Sequence, residues 1–363
     1  MEDVVNAAFW AGRRVFLTGH TGFKGAWLAL WLQSLGAEVT GFSLDPPTQP
    51  SLFEACRISE SMQDLRGDIR EAPALAAALA AARPDVVFHL AAQSLVRASY
   101  ADPVDTYLTN VMGTVHLLEA VRQHSGSVRA VVNVTSDKCY QNREWLWGYR
   151  ETDALGGHDP YSNSKACAEL VTAAYRASFF GAAPGDPIQP RLATARAGNV
   201  IGGGDWAADR LVPDMIRAFS DKRAVVIRHP EAVRPWQHVL DPLSGYLRLA
   251  EELCNGGEDA AEGWNFGPAE DEARPVSWIV SQLARAWGDG ASWQHDVAAQ
   301  PHEAAMLRLD CSKAWGRLGW RSRWSLDESL RRVVAWHRAH LDRADMRAFS
   351  LAQLTDYSLP ASL

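Results

Sequence analysis

Lysine is scarce in this chain. Of 36 basic residues only five are lysine, Lys24, Lys138, Lys165, Lys222 and Lys313, so arginine serves almost wherever a cation is needed. Arginine stays charged and forked, whereas lysine is compact and gives up its proton when desolvated. A retained lysine therefore marks a place where arginine does not serve. Cysteine is also sparse: Cys56, Cys139, Cys167, Cys254 and Cys311 are scattered, odd in number and never paired as C-x-x-C. That excludes a disulfide framework and a zinc site, so no metal is expected and the five are read as packing residues. Long apolar runs are missing as well. No segment approaches the ~18 consecutive apolar residues of a membrane span, and the opening MEDVVNAAFWAGRR puts acidic residues first, unlike a signal peptide. A cytoplasmic location with no membrane partner follows by default. No basic run of five or more offsets the net charge of -7, so nucleic acid is not an expected partner, and an anionic substrate would need local arginines.

What the 363 residues do contain, at 47% hydrophobic and 22% charged, is enough apolar material for one two-lobed unit or two closely joined domains. The first half alternates β-rich runs with helical patterns: RVFLTG then AWLALWLQSLG, EVTGFSL, MQDLRGDI, the Ala-rich EAPALAAALAAARP, DVVFHLAA, PVDTYLTNVMGTVHLLEAVRQH and RAVVNVTS. Such repetition predicts an α/β fold with a doubly wound parallel sheet. After residue 161, SNSKACAELVTAAYRASFF reads as a long helix and ATARAGNVIG as a strand running into glycines. Beyond about residue 200 the pattern loosens into Pro-, Trp- and Arg-containing segments, the look of a substrate-covering lobe. Ten of the fifteen tryptophans lie there; most are read as core, with Trp206 and Trp236 in motif-like loops.

Gly19, Gly22 and Gly25 in FLTGHTGFKG follow a predicted strand and open a helix. Glycines at such a turn let backbone N–H groups approach a pyrophosphate at the helix N-terminus. The spacing G-x-x-G-x-x-G does not fit a triphosphate-cleaving P-loop, so a dinucleotide is expected. Lys24 is either solvated or set against a cofactor phosphate. For the acid that holds the ribose of NAD, Asp45 lies 26 residues after Gly19, while Ser43 is the other candidate for the key position; NAD is preferred over NADP. Asp68 in RGDIRE is a second carboxylate at the cofactor edge, or a helix N-terminal residue, or both. Tyr161 and Lys165 in YSNSK stand one helical turn apart on one face. A nearby cation is expected to lower the phenol's pKa and make it a proton acceptor. VVNVTSDKCY runs from an apolar strand straight into Ser136, Asp137 and Lys138, at the end where open parallel sheets bind ligands.

GHTGFKG, the strand-end Ser136 and YSNSK together resemble the extended short-chain dehydrogenase/reductase superfamily that acts on nucleotide sugars. Within it, TSDKCY, RAGNVIGGGDWAADRLVPD, RPWQHVLDPLSGYL and NFGP are similar to the CDP-glucose 4,6-dehydratase group, over nearly the whole chain. The resemblance implies a Rossmann-type NAD-binding domain over 1–200 with a returning segment around 236–265, and a smaller sugar-nucleotide-binding lobe from 201–235 and 266–363. It also implies a homodimer and a lyase reaction in the supply of deoxysugars for surface polysaccharide such as O-antigen. NAD would be held by Gly19, Thr21, Gly22, Phe23, Lys24, Gly25, Asp68, Ile69, Leu90, Ala91 and Ala92, with Tyr161 and Lys165. Ser136, Tyr161 and Lys165 match the catalytic hydroxyl, base and supporting cation, and Asp137 the dehydratase acid. Lys138 falls where the dTDP-glucose dehydratases carry glutamate. It is either a neutral base for the sugar C5 proton or a fixed charge for the enolate. Gln93, Asn199, Arg210 and Arg234, with His238 close by, fall on segments that the family sets around the substrate; arginine forks suit phosphate oxygens. An epimerase or plain oxidoreductase of the same fold, and a dinucleotide sensor without chemistry, are the competing readings.

Overall fold

The computed structural model describes residues 4–124, 126–180, 189–269, 272–296 and 306–359. Six strands of the first 200 residues, β1 (Arg14–Thr18), β2 (Glu38–Ser43), β3 (Gln63–Arg66), β4 (Val86–His89), β5 (Ala130–Val134) and β6 (Arg191–Ala197), join a late strand, Gly263–Phe266, in one sheet. The order is 3-2-1-4-5-6 with Gly263–Phe266 outside β6, and every pair is parallel. Helices cover both faces, which is why β4 and β5 are apolar or neutral and buried along their whole length. The order reverses between β1 and β4, and a crevice opens at the carboxyl ends there.

Every alternation predicted for the first half is present. One difference is instructive: the run PVDTYLTNVMGTVHLLEAVRQH is not a single helix. It comprises Pro103–Tyr107, a wide π turn at Leu108–Met112, and Gly113–Gln123. The extra residue in such a turn rotates one side chain out of helical register, a common device at functional sites. Here it turns Asn110 inward.

The smaller lobe has its own core, in which Ile216 and Phe219 of helix Leu211–Ser220 meet Ile279 and Leu283 of helix Val276–Trp287 and Val333 of helix Leu326–Leu341. The expected span 266–363 does not stay within that lobe. Helix Met346–Ser358 returns to the Rossmann side, with the Tyr357 ring edge-on to Trp31 at 5.6 Å. Trp320 likewise packs on Phe266 of the main sheet at 4.9 Å. Large aromatic surfaces on those two segments are buried against the first domain, and this overrides a boundary drawn from sequence order.

Candidate active site

The glycine turn is built by contacts that no side chain would permit. Gly19 has φ +78°, and a Cβ there would stand 2.6 Å from the nitrogen of Ala91; a Cβ on Gly25 would stand 2.1 Å from the oxygen of Gly19. The turn therefore closes tightly onto the Leu90–Ala91 loop. Helix Phe23–Ser34 begins at Gly22 with no side-chain cap, which leaves its first N–H groups directed at the crevice for an anion. Thr21 hydrogen-bonds Ser43 at 2.8 Å and the Leu44 carbonyl at 3.0 Å, fixing the end of β2. Ser43 is buried there, whereas the Asp45 carboxylate is 90% exposed and lies 3.7 Å from Arg66. Asp68 is not a helix cap: that place belongs to Glu71. Its carboxylate instead accepts from Arg70, which holds it below its ordinary pKa.

A cavity of about 2320 Å³ runs along these carboxyl ends. Gly19, Thr21, Gly22, Phe23, Lys24, Gly25, Asp68, Ile69, Leu90, Ala91, Ala92 and Gln93 line it, as do Ser136, Asp137, Lys138, Tyr161, Lys165, Asn199, Arg210 and Arg234. His238 does not. Its imidazole is fully buried between Trp324, at 4.7 Å, and Trp27, at 6.5 Å, and burial lowers its pKa to about 3. Its Nδ1 accepts from the Leu240 amide at 3.3 Å. The expected substrate contact is thus a neutral packing residue on the strand Gln237–His238, both of whose residues are buried.

At the centre, β5 ends at Val134 and the chain turns through a short helix, Asp137–Cys139, capped by Ser136, whose Oγ accepts from the Lys138 amide at 3.2 Å. That cap puts the Ser136 hydroxyl 3.0 Å from Asp137 Oδ1, to which it donates. Asp137 is 2% exposed, and its Oδ2 has no hydrogen-bond partner among the described residues. Burial raises its pKa; Lys138 is the foremost charge opposing that rise, followed by Arg234 and Lys24. A buried carboxyl that leans toward its protonated form suits a proton donor.

Tyr161 departs from expectation. Burial pushes its phenol up to about 12, and a hydrogen bond with Ser136 and the charge of Arg210 only partly oppose this. Lys165 spends its one resolved hydrogen bond on the Val134 carbonyl, at 3.4 Å, and burial lowers its own pKa to about 8. The expected depression of the phenol is not seen, because desolvation outweighs the Ser136 hydroxyl and the charge of Arg210.

Lys24 is half-buried in the wall of the cavity. Its Nζ reaches Tyr246 Oη at 3.4 Å, and burial followed by Lys165 lowers its pKa to about 7. Arg210 is ion-paired with buried Asp205 at 3.0 Å and donates to Ser94 at 3.0 Å, so the cleft fixes its fork. Arg234 is 4% exposed and donates to the Val233 carbonyl at 3.0 Å.

Two contributors escaped the sequence reading. Asn110, delivered by the π turn, accepts from the Gln93 amide at 2.8 Å and donates to the Gln93 carbonyl at 3.0 Å and Ser164 Oγ at 2.9 Å. It thereby ties the loop after β4 to the helix of Tyr161. A π turn leaves no mark in a 3.6-residue period, so no pattern in the sequence pointed to it. Tyr246, beneath Lys24, stands in RPWQHVLDPLSGYL, where no local spacing marks it.

The GDP-mannose 4,6 dehydratase family model matches residues 16–333. A CDP-glucose 4,6-dehydratase from Salmonella typhimurium is 55% identical over 98% of this chain and 98% of its own length. A dTDP-glucose 4,6-dehydratase from Streptomyces antibioticus is 30% identical over 76% of each. Among solved structures, the dTDP-glucose 4,6-dehydratase DesIV from Streptomyces venezuelae, with NAD bound, superposes at TM-score 0.75, with 25% identity over 92% of this chain and 99% of its own. The dinucleotide cradle, the strand-end acid and these likenesses agree, and the chain belongs to the GDP-mannose 4,6 dehydratase family.

Proposed function

We propose that this protein is an NAD-dependent hydro-lyase that converts CDP-glucose to CDP-4-keto-6-deoxyglucose by an internal oxidation and reduction. The observation that carries the reading is Asp137, a buried carboxyl just after β5 that accepts from the Ser136 hydroxyl, is set beside Lys138 and shares the cleft with Tyr161. An epimerase or simple dehydrogenase needs the tyrosine and its hydroxyl neighbour. Loss of the C6 hydroxyl needs an acid as well, and help in removing the C5 proton. The Salmonella relative, similar end to end, supports CDP-glucose as the substrate.

NAD, when bound, supplies the acceptor for the C4 hydride and the donor that returns it to C6. Tyr161 takes the proton of the 4-hydroxyl, with Ser136 at its oxygen and Lys165 one helical turn behind. The resulting 4-keto group makes C5–H acidic. Lys138 then assists removal of the C5 proton while Asp137 protonates the departing C6 oxygen, so that water leaves, and a proton is returned to C5 as the hydride reaches C6. Arg210 and Arg234 hold the diphosphate, and Asn199 and Gln93 line the path between. Purified enzyme incubated with CDP-glucose and no reductant should yield a 4-keto sugar with its alkali-induced absorbance. A side-by-side assay of CDP-, dTDP-, GDP- and UDP-glucose tests the nucleotide, and preference for another base would overturn that part.

We further infer that the functional unit is a homodimer. Val104 (66% exposed), Leu108 (46%) and Met112 (40%) recur at four-residue intervals, and Leu170 on the neighbouring helix is 58% exposed. A second copy of the same pair of helices buries such a stripe symmetrically. Light scattering should give twice the mass of 39.9 kDa for the native chain and a monomer for Leu108→Asp; a monomeric native protein would contradict it.

A further inference from the structure

Behind the catalytic turn lies an ion pair that the chemistry above does not use. Glu169 and Arg196 meet at 2.7 Å with side chains 3% and 5% exposed. Burying two charges is a poor way to stabilise a fold, since apolar residues of similar volume serve as well or better, so their placement asks for another reason. Glu169 lies on the helix of Tyr161 and Lys165, one turn beyond Lys165. One of its oxygens accepts from Arg196 and from Thr194 Oγ1, each at 2.7 Å, and the other accepts from Thr135 Oγ1. Thr135 is the residue before Ser136. Arg196 in turn donates to Tyr140 Oη at 2.8 Å, and Tyr140 donates to Asn265 Oδ1 at 2.7 Å. Tyr140 is the residue after the Asp137–Cys139 turn. The segment that carries Ser136, Asp137 and Lys138 is thus tied at both ends to one buried pair.

We propose that Glu169 and Arg196 are positioning residues that clamp this turn, and that the Glu169 carboxylate keeps Lys165 in its charged form. This rests on the catalytic reading of Lys165 given above. From its own helix Lys165 is faced by Glu169, which favours its charge while burial opposes it, and from the turn by the Cys139 thiol, which burial keeps protonated. Lys24 from the glycine loop and His89 from β4 lie close enough to feel it. Glu169 itself is faced by Arg196 from β6 and Arg176 from its own helix, and Arg196 by Glu151 from the loop after β5.

With only five lysines in the chain, lysine labelled with ¹³C at Cε gives five signals in the NAD-loaded enzyme. Loss of one signal in Lys165→Arg assigns it. Glu169→Gln should lower the titration midpoint of that signal by about one pH unit or more, the usual effect of a nearby opposite charge, and should move the alkaline limb of kcat the same way. Glu169→Asp should restore both. Glu169→Gln leaves a buried arginine without its counter-charge and threatens folding, so Glu169→Gln/Arg196→Met provides a neutral pair; it should fold and keep the shifted midpoint. A folded double variant with a native Lys165 midpoint and a native alkaline limb would overturn the proposal. The NMR titration needs no turnover, so failure of the wild type to dehydrate any nucleotide sugar would sink the functional reading without deciding this one.

Discussion

Ser136 donates its hydroxyl to Asp137 Oδ1 at 3.0 Å, while Asp137 Oδ2 lies 3.0 Å from where a side chain at position 198 would begin. Gly198 leaves just enough room for the carboxyl, and nothing polar among the described residues meets its second oxygen. One oxygen is thus held and the other is left open, an arrangement that suits the proposed role as acid.

Asp137→Asn should leave C4 oxidation nearly intact and slow elimination by about 10²- to 10⁴-fold, the worth of a positioned acid. Rapid-mixing absorbance at the reduced-nicotinamide band separates the two steps. The same change should raise thermal stability at pH 8. The folded pKa of Asp137 lies above its unfolded value, so its contribution favours the fold at low pH and is lost as pH rises through the folded value. Equal loss of both chemical steps would make the residue structural.

Arg210→Ala should act mainly on binding, because the diphosphate is held alike in ground and transition states. Removal of a charged hydrogen-bond partner is worth about 1.5–3 kcal/mol, or ~10- to 150-fold in KM. Steady-state kinetics check it, and an unchanged KM would remove Arg210 from the site. Since Asp205 holds the guanidinium, Asp205→Asn should produce a smaller rise in KM.

The buried His238 gives a stability prediction. Its pKa is about 3 in the folded chain against an ordinary 6.5. The stability it contributes is fully present above about 6.5 and is lost as pH falls toward about 3. Replacement by Asn, which keeps an acceptor for the Leu240 amide, should shrink the loss of stability between pH 7 and pH 5 by about 2 kcal/mol, at about 1.4 kcal/mol per pH unit. Urea unfolding at the two pH values measures the difference, and an unchanged pH dependence would contradict the assignment.

Lys138 carries the proposed step at C5. Lys138→Met should accumulate enzyme-bound NADH and keto sugar without exchanging the C5 hydrogen in deuterated water. Lys138→Arg should be equally inactive if a neutral amine is the base, because arginine keeps its proton. Substantial elimination by the arginine variant, read by product NMR, would show that a fixed charge suffices.

The residues legible in the sequence were those whose roles depend on local spacing. Gly19, Gly22 and Gly25 announce a strand-to-helix turn; Tyr161 and Lys165 share a helix face; Ser136 to Lys138 interrupt an apolar strand at its carboxyl end. Each depends on neighbours within a few positions. Asn110 was hidden because a π turn, invisible to a 3.6-residue period, rotates it inward. The Glu169–Arg196 pair joins a helix to a strand across 27 positions, a relation no local pattern encodes. His238 misled for a related reason: proximity to Arg234 in the chain says nothing about which side of a strand a ring occupies. Helix Met346–Ser358 returns to the first domain for tertiary reasons alone.

The central claim is that one hydride leaves C4 and comes back at C6 within the same active site. CDP-glucose deuterated at C4, incubated with the enzyme in ordinary water without added reductant, tests this most directly by NMR of the product. The label should reappear on the C6 methyl group, with the 4-keto function formed and no net reduction of NAD. Label lost to solvent, or retained at C4 of an epimerised or unchanged sugar, would contradict it.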